Sequence, residues 1–205
     1  MLGAEVLPLI RDFTIHRARA AVSDSTPRFP ESLPILAGEY QSLRELREAD
    51  IPGWFARATD REAADLAGDP VPESIAEGAA WLQRHRERFM RRTGLRWAIV
   101  PRGTFDSVGT VGFSLDAPGA LSASLGIVVA RSSWGNGIGT AAMSTAIRYA
   151  FAELGLQEIR AEVLQRNAAS IRLLGKCGFA LDRVLDPTPD EPEVMLLYKR
   201  FADTR

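Results

Sequence analysis

The sequence predicts a mixed α/β fold built around a single, mostly antiparallel sheet. Segments that alternate like strands are interspersed with segments that have helical spacing, and short turns containing Gly or Pro join them. The chain of 205 residues is long enough for one domain with a substantial core. We expect that domain over residues 34–205, after an N-terminal extension of unknown role, residues 1–33.

The first third of the domain predicts one strand followed by two helices. "YQSLREL" alternates like a strand, and "READIPGWFARAT" is typical of a short helix after a turn. "PESIAEGAAWLQRHRERFMRRTG" predicts a longer helix, with Ile75, Ala79, Leu82 and Phe89 near one face and Gly94 placed to end it.

The remaining elements follow in the order strands, helix, strand, helix, strands. "LRWAIV", "SVGTVGFSL" and "ASLGIVVA" predict three strands of an antiparallel meander. "TAAMSTAIRYAFAELG" predicts a helix that ends at Gly155, and "QEIRAEVL" a strand. "NAASIRLLGKCG" predicts a helix from an Asn167 cap to Gly178. "ALDRVLD" and "EVMLLYKRF" then predict two final strands.

Composition argues against several classes of protein. The formal net charge of -1 gives no overall reason to expect nucleic acid or a membrane as a partner. Cys177 is the single cysteine, and His16 and His85 lie far apart, so we expect neither an internal disulfide nor a metal site. No basic leader precedes the apolar residues around Glu5, and no apolar run spans a membrane. We therefore expect a cytoplasmic protein.

A glycine-rich stretch stands between a predicted strand and a predicted helix. Gly135, Gly137 and Gly139 separate a strand that ends at Ala130 from a helix that starts near Thr140. The first turn of a helix has unpaired N–H groups and partial positive charge, and glycine removes the side chains that would hold an anion away. A phosphate or pyrophosphate site is one interpretation, and a tight strand-to-helix turn is the other.

Two familiar nucleotide-binding motifs fit this stretch poorly. A Walker-type loop has a lysine after its last glycine, whereas Gly139 is followed by Thr140. A dinucleotide fingerprint belongs near the start of a βαβ unit, whereas these glycines follow a meander.

The glycine stretch and a second motif downstream resemble the GNAT superfamily of N-acetyltransferases. "WGNGIG" at residues 134–139 is similar to the superfamily's Gln/Arg-x-x-Gly-x-Gly/Ala, with Trp134 in the first position. That tryptophan, "YAFAELGL", and "NAASIRLLGKCGF" at residues 167–179 resemble the branch that contains RimJ and RimL. The resemblance covers residues 42–201 and is most specific over 129–179. It implies the GNAT acyl-CoA N-acyltransferase fold, with splayed middle strands.

The resemblance implies acetyl-CoA as the donor substrate. The amides that follow Trp134 would hold its pyrophosphate, and the backbone of Ile127 and Val129 would pair with its pantetheine arm. Asn167 would contact that arm or brace the splay, and it is also a good helix cap. The implied donor-binding residues are Ile127, Val129, Trp134, Gly135, Asn136, Gly137, Ile138, Gly139, Thr140 and Asn167.

The implied reaction is direct attack of a primary amine on the thioester in a ternary complex. Many superfamily members have a tyrosine where this chain has Leu174. The branch implies that Ser170 acts beside the departing thiolate, with Asn167 as its catalytic partner, although a serine in a first helical turn also bonds locally to backbone. Asp186 and Asp190 lie where the branch has a base, but solvated loop acids are the favoured interpretation, and no base is assigned.

Several questions stay open at the level of sequence. The alternative function is an acyl-CoA-binding regulatory or sensing module with weak chemistry. The acceptor amine, a protein N-terminus or a small molecule, is not identified, and residues 1–33 could form a homodimer or cover an acceptor groove. Trp134, Phe179 and Tyr198 are interpreted as packing residues. A basic helix face, either solvated or able to receive an acidic acceptor or the 3′-phosphate, comprises Arg84, Arg86, Arg88, Arg91 and Arg92.

Overall fold

The computed structural model describes residues 27–67, 70–188 and 192–203, which form one eight-stranded sheet and its flanking helices. The strands are β1 (Leu36–Ala37), β2 (Gln41–Glu45), β3 (Gly94–Pro101), β4 (Gly109–Leu115), β5 (Ser122–Val129), β6 (Glu158–Leu164), β7 (Ala180–Leu185) and β8 (Met195–Phe201). The helices are α1 (Ile51–Ala58), α2 (Arg61–Ala67), α3 (Glu77–Met90), α4 (Ile138–Tyr149) and α5 (Ala168–Lys176). A π-helical segment, Ala150–Leu154, extends α4 as far as Gly155.

The sheet has the order β1-β2-β3-β4-β5-β6-β8-β7, and neighbouring strands are antiparallel except for β5 and β6. Those two run parallel and pair only where residues 122–124 meet residues 158–160. Beyond that point β5 stays on β4 and β6 stays on β8, so their carboxyl halves part. The predicted mixed, mostly antiparallel sheet with splayed middle strands is confirmed.

The two faces of the sheet carry different helices because side chains alternate along each strand. On β3, Leu95, Trp97 and Ile99 belong to the main core, which also contains the apolar face of α4 and the buried residues of α5. Ala98 and Val100 point the other way and pack beneath α3 in a smaller cluster. The splayed strands therefore have α4 and α5 on one face, whereas α3 covers β3 on the other.

The last residues of the N-terminal extension are part of the folded domain. The Arg28 N–H donates to the Leu154 carbonyl over 2.9 Å, and the ring of Phe29 lies 5.2 Å from that of Phe89. Residues 1–26 lie outside the described residues. The predicted roles of the extension, in forming a homodimer or covering an acceptor groove, therefore stay predictions.

The buried face of α3 differs from the predicted one at its start. The helix begins at Glu77, so Ile75 precedes it and is exposed, and Ala79 is exposed as well. Leu82 and Phe89 pack inward as predicted. The prediction placed the helical repeat too early because "PESI" has no strong signal for where a helix begins.

Gly94 does not end α3, contrary to prediction. Arg92 takes the left-handed conformation instead, with a φ of 56°, and the Thr93 N–H donates to the Arg88 carbonyl in a Schellman arrangement. Gly94 is the first residue of β3, and a Cβ there would lie 3.0 Å from the Phe113 carbonyl oxygen. The glycine therefore allows close approach of two strands.

None of the helices in the described part of the chain is both long and apolar enough to cross a membrane.

Candidate functional site

The glycine-rich turn joins β5 to α4 at the point where the middle strands have parted. One 3-10 turn, Arg131–Ser133, follows β5, and α4 begins at Ile138, two residues before the predicted start. Gly135 and Gly137 have φ angles of 77° and 76°, and a Cβ on either would meet nothing within 4 Å. These glycines are therefore explained by backbone conformation, and the space in front of them is open.

Gly139 has a different reason to be glycine. Its Cβ would lie 3.0 Å from Leu173 Cδ1 and 3.7 Å from Val129 Cγ2. The missing side chain lets the first turn of α4 approach both α5 and the end of β5. Conformation explains two of the three glycines, and packing explains the third.

The N-terminus of α4 has the chemistry of an anion site. Gly137 is its N-cap and supplies no side-chain acceptor, and the first helical hydrogen bond runs from Ala141 N–H to Gly137 C=O over 3.0 Å. The N–H groups of Ile138, Gly139 and Thr140 therefore belong to a first turn that has no side-chain cap. Together with the helix dipole, they can hold a phosphate or pyrophosphate.

The backbone of β5 presents hydrogen-bonding groups to the opening between the strands. The Ala130 N–H donates to Val108 C=O over 2.7 Å, so even-numbered residues of β5 face β4 and odd-numbered residues face the opening. Ile127 and Val129 are on the odd side, as the predicted role requires. However, the Val129 carbonyl already accepts the Trp134 Nε1–H over 2.7 Å. Trp134 therefore braces the turn against the strand.

Asn167 connects three elements at the start of α5. Its Oδ1 accepts the Ser170 N–H over 3.0 Å, which is the predicted cap. Its Nδ2 donates to the Leu66 carbonyl at the end of α2 over 3.1 Å. The side chain is buried, so it holds α2 against the loop that follows β6.

Ser170 lies in the first turn of α5, at the same edge of the sheet as the glycine-rich turn. Both α4 and α5 follow the carboxyl ends of β5 and β6, where ligands bind in open sheets with parallel strands. The cap uses the Ser170 N–H and does not involve the Ser170 hydroxyl. Leu173, three residues later, is the side chain nearest the position of Gly139. Ser170 therefore lies on α5 about one helical turn before that contact.

Sequence reasoning missed that α2 is tied to both loops at this edge. Arg131, at the start of the glycine-rich turn, pairs with Asp60 over 2.9 Å and with Glu62 over 2.7 Å. These partners are about 70 residues apart in the chain, and no local pattern links them.

Arg166 ties α2 to the connection between β7 and β8. Its guanidinium pairs with Asp65 over 2.7 Å and with Glu193 over 2.9 Å. Hydrogen bonds to Glu193 and Asp65 raise the pKa of Arg166 above its usual value. Because Asn167 is the next residue, this ion-pair network and the cap of α5 share one short loop.

The other residues singled out in the sequence lie outside this network. Asp186 is exposed immediately after β7, and Asp190 lies outside the described residues. Phe179 and Tyr198 are buried in the main core, which confirms them as packing residues, and Leu174 is buried there too. The five arginines of the basic face are exposed on and just after α3. Within the described ranges, no group of three or more His, Cys, Asp or Glu residues could hold a metal ion.

Comparison with known proteins identifies the family. Residues 42–180 match the acetyltransferase (GNAT) domain. The uncharacterized N-acetyltransferase YoaA of Bacillus subtilis is 33% identical over 152 residues, which is 74% of this chain and 86% of that protein. The uncharacterized N-acetyltransferase p20 of Bacillus licheniformis is 32% identical over 141 residues, 69% of this chain and 78% of that protein. The chain belongs to the GNAT acetyltransferase family.

Solved structures agree with this assignment at the level of the fold. RimJ of Mycobacterium smegmatis, in complex with a coenzyme A disulfide, superposes with a TM-score of 0.72 at 24% identity, covering 87% of this chain and 90% of that one. RimL, a ribosomal L7/L12 acetyltransferase in complex with coenzyme A, gives 0.71 at 16% identity, covering 82% and 98%. The predicted family, fold and acyltransferase class are confirmed.

Proposed function

We propose that this protein transfers an acetyl group from acetyl-CoA to a primary amine, on a protein N-terminus or a small molecule, by direct attack in a ternary complex. The observation that carries the proposal is the uncapped first turn of α4. It faces open space beyond Gly135 and Gly137, where β5 has parted from β6. This geometry fits the pyrophosphate of coenzyme A, and the odd-numbered backbone groups of β5 fit its amide-containing arm. No metal is required.

Each of the predicted donor-binding residues has a role in this proposal. The N–H groups from Gly135 to Thr140 would hold the pyrophosphate, with Asn136 between the two left-handed glycines. Ile127 and the Val129 N–H would bond the arm, while Trp134 would keep the turn in position through the Val129 carbonyl. Asn167 would act by fixing the start of α5.

A pair of glycine substitutions tests the donor site. Gly137→Ala and Gly119→Ala each force alanine into a left-handed conformation, and a Cβ at either position meets nothing within 4 Å. Each should cost about 1–2 kcal/mol of stability. Gly119 lies between β4 and β5, at the opposite edge of the sheet. By calorimetry we expect Gly137→Ala to weaken acetyl-CoA binding at least about tenfold, the equivalent of 1.4 kcal/mol, and Gly119→Ala to leave it unchanged. Equal affinity in both variants would contradict the proposed site.

In the proposed reaction, the neutral amine attacks the thioester carbonyl carbon. The new C–N bond replaces the C–S bond, the amine releases a proton, and coenzyme A leaves as a thiolate that is protonated. Ser170 would donate a hydrogen bond to that sulfur, and water or an acceptor-side carboxylate would take the amine proton. Holding both substrates at one edge supplies much of the rate enhancement.

Ser170→Ala tests the chemical step. Because the cap of α5 uses only the backbone N–H of Ser170, the variant should keep its melting temperature and its affinity for acetyl-CoA. We expect kcat to fall by about 10²-fold, as is typical for loss of a general acid. An unchanged kcat would assign the serine to local backbone contacts alone.

The alternative function is an acyl-CoA-binding regulatory or sensing module. The observation that favours it is Leu174, which is buried in the core where many relatives have a tyrosine. Release of free thiol with a panel of amines separates the two functions, because a sensing module would bind acetyl-CoA and release none. The RimJ/RimL-like assignment, a cytoplasmic location and a homodimer remain part of the proposal, and the single cysteine fits a reducing compartment.

A further inference from the structure

Arg57, on α1, is a buried cation whose charge is poorly compensated. The residue is 7% exposed, and within the described part of the chain its Nη1 is sealed from solvent without a hydrogen-bond partner. Burying a charged group without a partner is costly, so proteins seldom retain one that has no use. Arg57 therefore retains a hydrogen-bond donor that no group in the described part of the chain uses.

The carboxylate whose charge acts on Arg57 is already bound elsewhere. Asp50 accepts Arg44 Nη1 over 2.7 Å and Arg44 Nη2 over 2.9 Å, and it also accepts the Arg47 N–H over 2.8 Å. Burial opposes the charge on Asp50, but these hydrogen bonds lower its pKa below the usual value. Asp50 is therefore paired with Arg44, and Arg57 lacks a carboxylate partner of its own.

A second arginine increases the positive charge around Arg57. Arg96, on β3, donates from Nε to Thr110 Oγ1 over 3.1 Å and from Nη1 to the Gly126 carbonyl over 3.2 Å. Burial and the charge of Arg96 together lower the pKa of Arg57 to about 10. Burial and the nearby arginines, Arg96 first, lower the pKa of His85 to about 3, so this imidazole is neutral.

The Arg96 side chain places positive charge beside β5, the strand that parts from β6. Its side chain crosses the sheet where the chain has glycines: a Cβ at Gly112 would lie 2.8 Å from Arg96 Cδ, and one at Gly126 would lie 3.1 Å from Nη1. Gly126 immediately precedes Ile127. Side-chain alternation along β3 puts Arg96 on the face opposite α4 and α5, so its charge lies on the side of the opening that those two helices do not cover.

We propose that Arg57, supported by Arg96, binds a carboxylate of the acceptor, so that the acceptors are amines that also carry a carboxylate. This proposal rests on the proposed acetyl transfer and names its substrate class. A guanidinium can hold a carboxylate through two parallel hydrogen bonds, which orients the acceptor as well as attracting it. The carboxylate is that of a free amino acid or that of an acidic residue next to a peptide N-terminus.

Matched acceptors test the proposal. Free amino acids are compared with their amides, and peptides with an acidic second residue with peptides that have the corresponding amide, by following free thiol. The proteins are the wild type, Arg57→Met, Arg57→Lys and, as a control, Arg148→Met, whose arginine is exposed on α4. The two acceptor series distinguish a free amino acid from a peptide as the source of the carboxylate.

The wild type and Arg148→Met should prefer the carboxylate member of a pair at least about tenfold in kcat/KM, as a charge-assisted contact implies. Arg57→Met should lose that preference while keeping its affinity for acetyl-CoA, and Arg57→Lys should keep part of it. Equal use of both members by the wild type, or an undiminished preference in Arg57→Met, would overturn the proposal.

A binding measurement separates this proposal from the proposed activity. If no amine is acetylated, the proposed function fails, and thermal shift with glutamate against glutaminamide, which carries no carboxylate, still decides the anion site. Glutamate alone should raise the melting temperature of the wild type and should not raise that of Arg57→Met. The absence of a shift in the wild type would overturn the site. Should Arg57→Met fail to fold, Arg57→Lys and the preference of the wild type decide the question.

Discussion

His85 shows at the scale of one residue how burial sets a pH dependence. It lies on α3, its ring is 5.4 Å from that of Trp81, and burial and the nearby arginines lower its pKa from 6.5 to about 3. Because the unfolded chain takes up the proton more readily, stability is full above pH 6.5 and is lost as the pH falls toward 3.

We therefore predict that His85→Gln loses less stability in acid than the wild type does. Between pH 6.5 and 5 the difference should approach about 2 kcal/mol, at about 1.4 kcal/mol for each pH unit. Denaturant unfolding at both pH values measures it, and His16 is the same in both proteins. Parallel pH profiles would show that His85 is protonated as easily in the folded protein as in the unfolded chain.

The glycines show what one residue type can and cannot reveal. The spacing of Gly135, Gly137 and Gly139 correctly indicated a turn into a helix N-terminus. It could not reveal that Gly139 is needed for the approach of Leu173, because that contact depends on how α5 packs on α4. Arg57 likewise gives no signal in the sequence, since its burial arises only when α1 packs against its neighbours in the folded domain.

At the scale of elements, most helices and strands were predictable, but the short β1 and α2 were not. Hydrophobic periodicity located α4, α5 and the strands of the meander within a few residues of their observed bounds. β1 has only two residues and α2 only seven, which is too little for a repeat to show. Tertiary contacts hold both in place, including the ion pairs of Glu62 and Asp65 on α2 with Arg131 and Arg166.

Arg166 leads to a prediction about α2. Arg166→Ala should leave the melting temperature nearly unchanged, because exposed ion pairs contribute little to stability. It should raise the KM of the acceptor more than the Kd of acetyl-CoA, since α2 and the connection between β7 and β8 lose a shared anchor through Asp65 and Glu193. Arg166→Lys should have an intermediate effect, because lysine lacks the forked guanidinium.

The control is Arg183→Ala, which removes an exposed ion pair with Asp182 on β7. Steady-state kinetics and calorimetry compare the variants. If the acceptor KM of Arg166→Ala is the same as that of Arg183→Ala, the ion-pair network does not position the acceptor side.

At the scale of the whole molecule, residues 27–33 of the N-terminal extension pack on the domain. Phe29 and Leu33 pack against the main core, and the Pro34 carbonyl accepts the Trp97 Nε1–H over 2.9 Å. The residues just before the predicted domain boundary therefore belong to the core.

Two truncations test the contribution of residues 27–33. A chain that starts at residue 34 should have a free energy of unfolding about 2–4 kcal/mol lower than one that starts at residue 27, because it loses the burial of Phe29 and Leu33. Denaturant unfolding measures the difference, and light scattering reports whether either truncation changes the mass. Equal stability would show that residues 27–33 contribute no net burial.

The sequence by itself determined the family, the order of the main elements and the turn that precedes α4, because those depend on local periodicity and on motifs of fixed spacing. Only the tertiary structure decided that Trp134 occupies the Val129 carbonyl, that Arg166 bridges α2 and the β7–β8 connection, and that Arg57 is buried with too few partners. No local pattern in the sequence encodes these contacts, most of which join residues far apart along the chain. Their energies arise only when the sheet is assembled and water has been excluded from its faces.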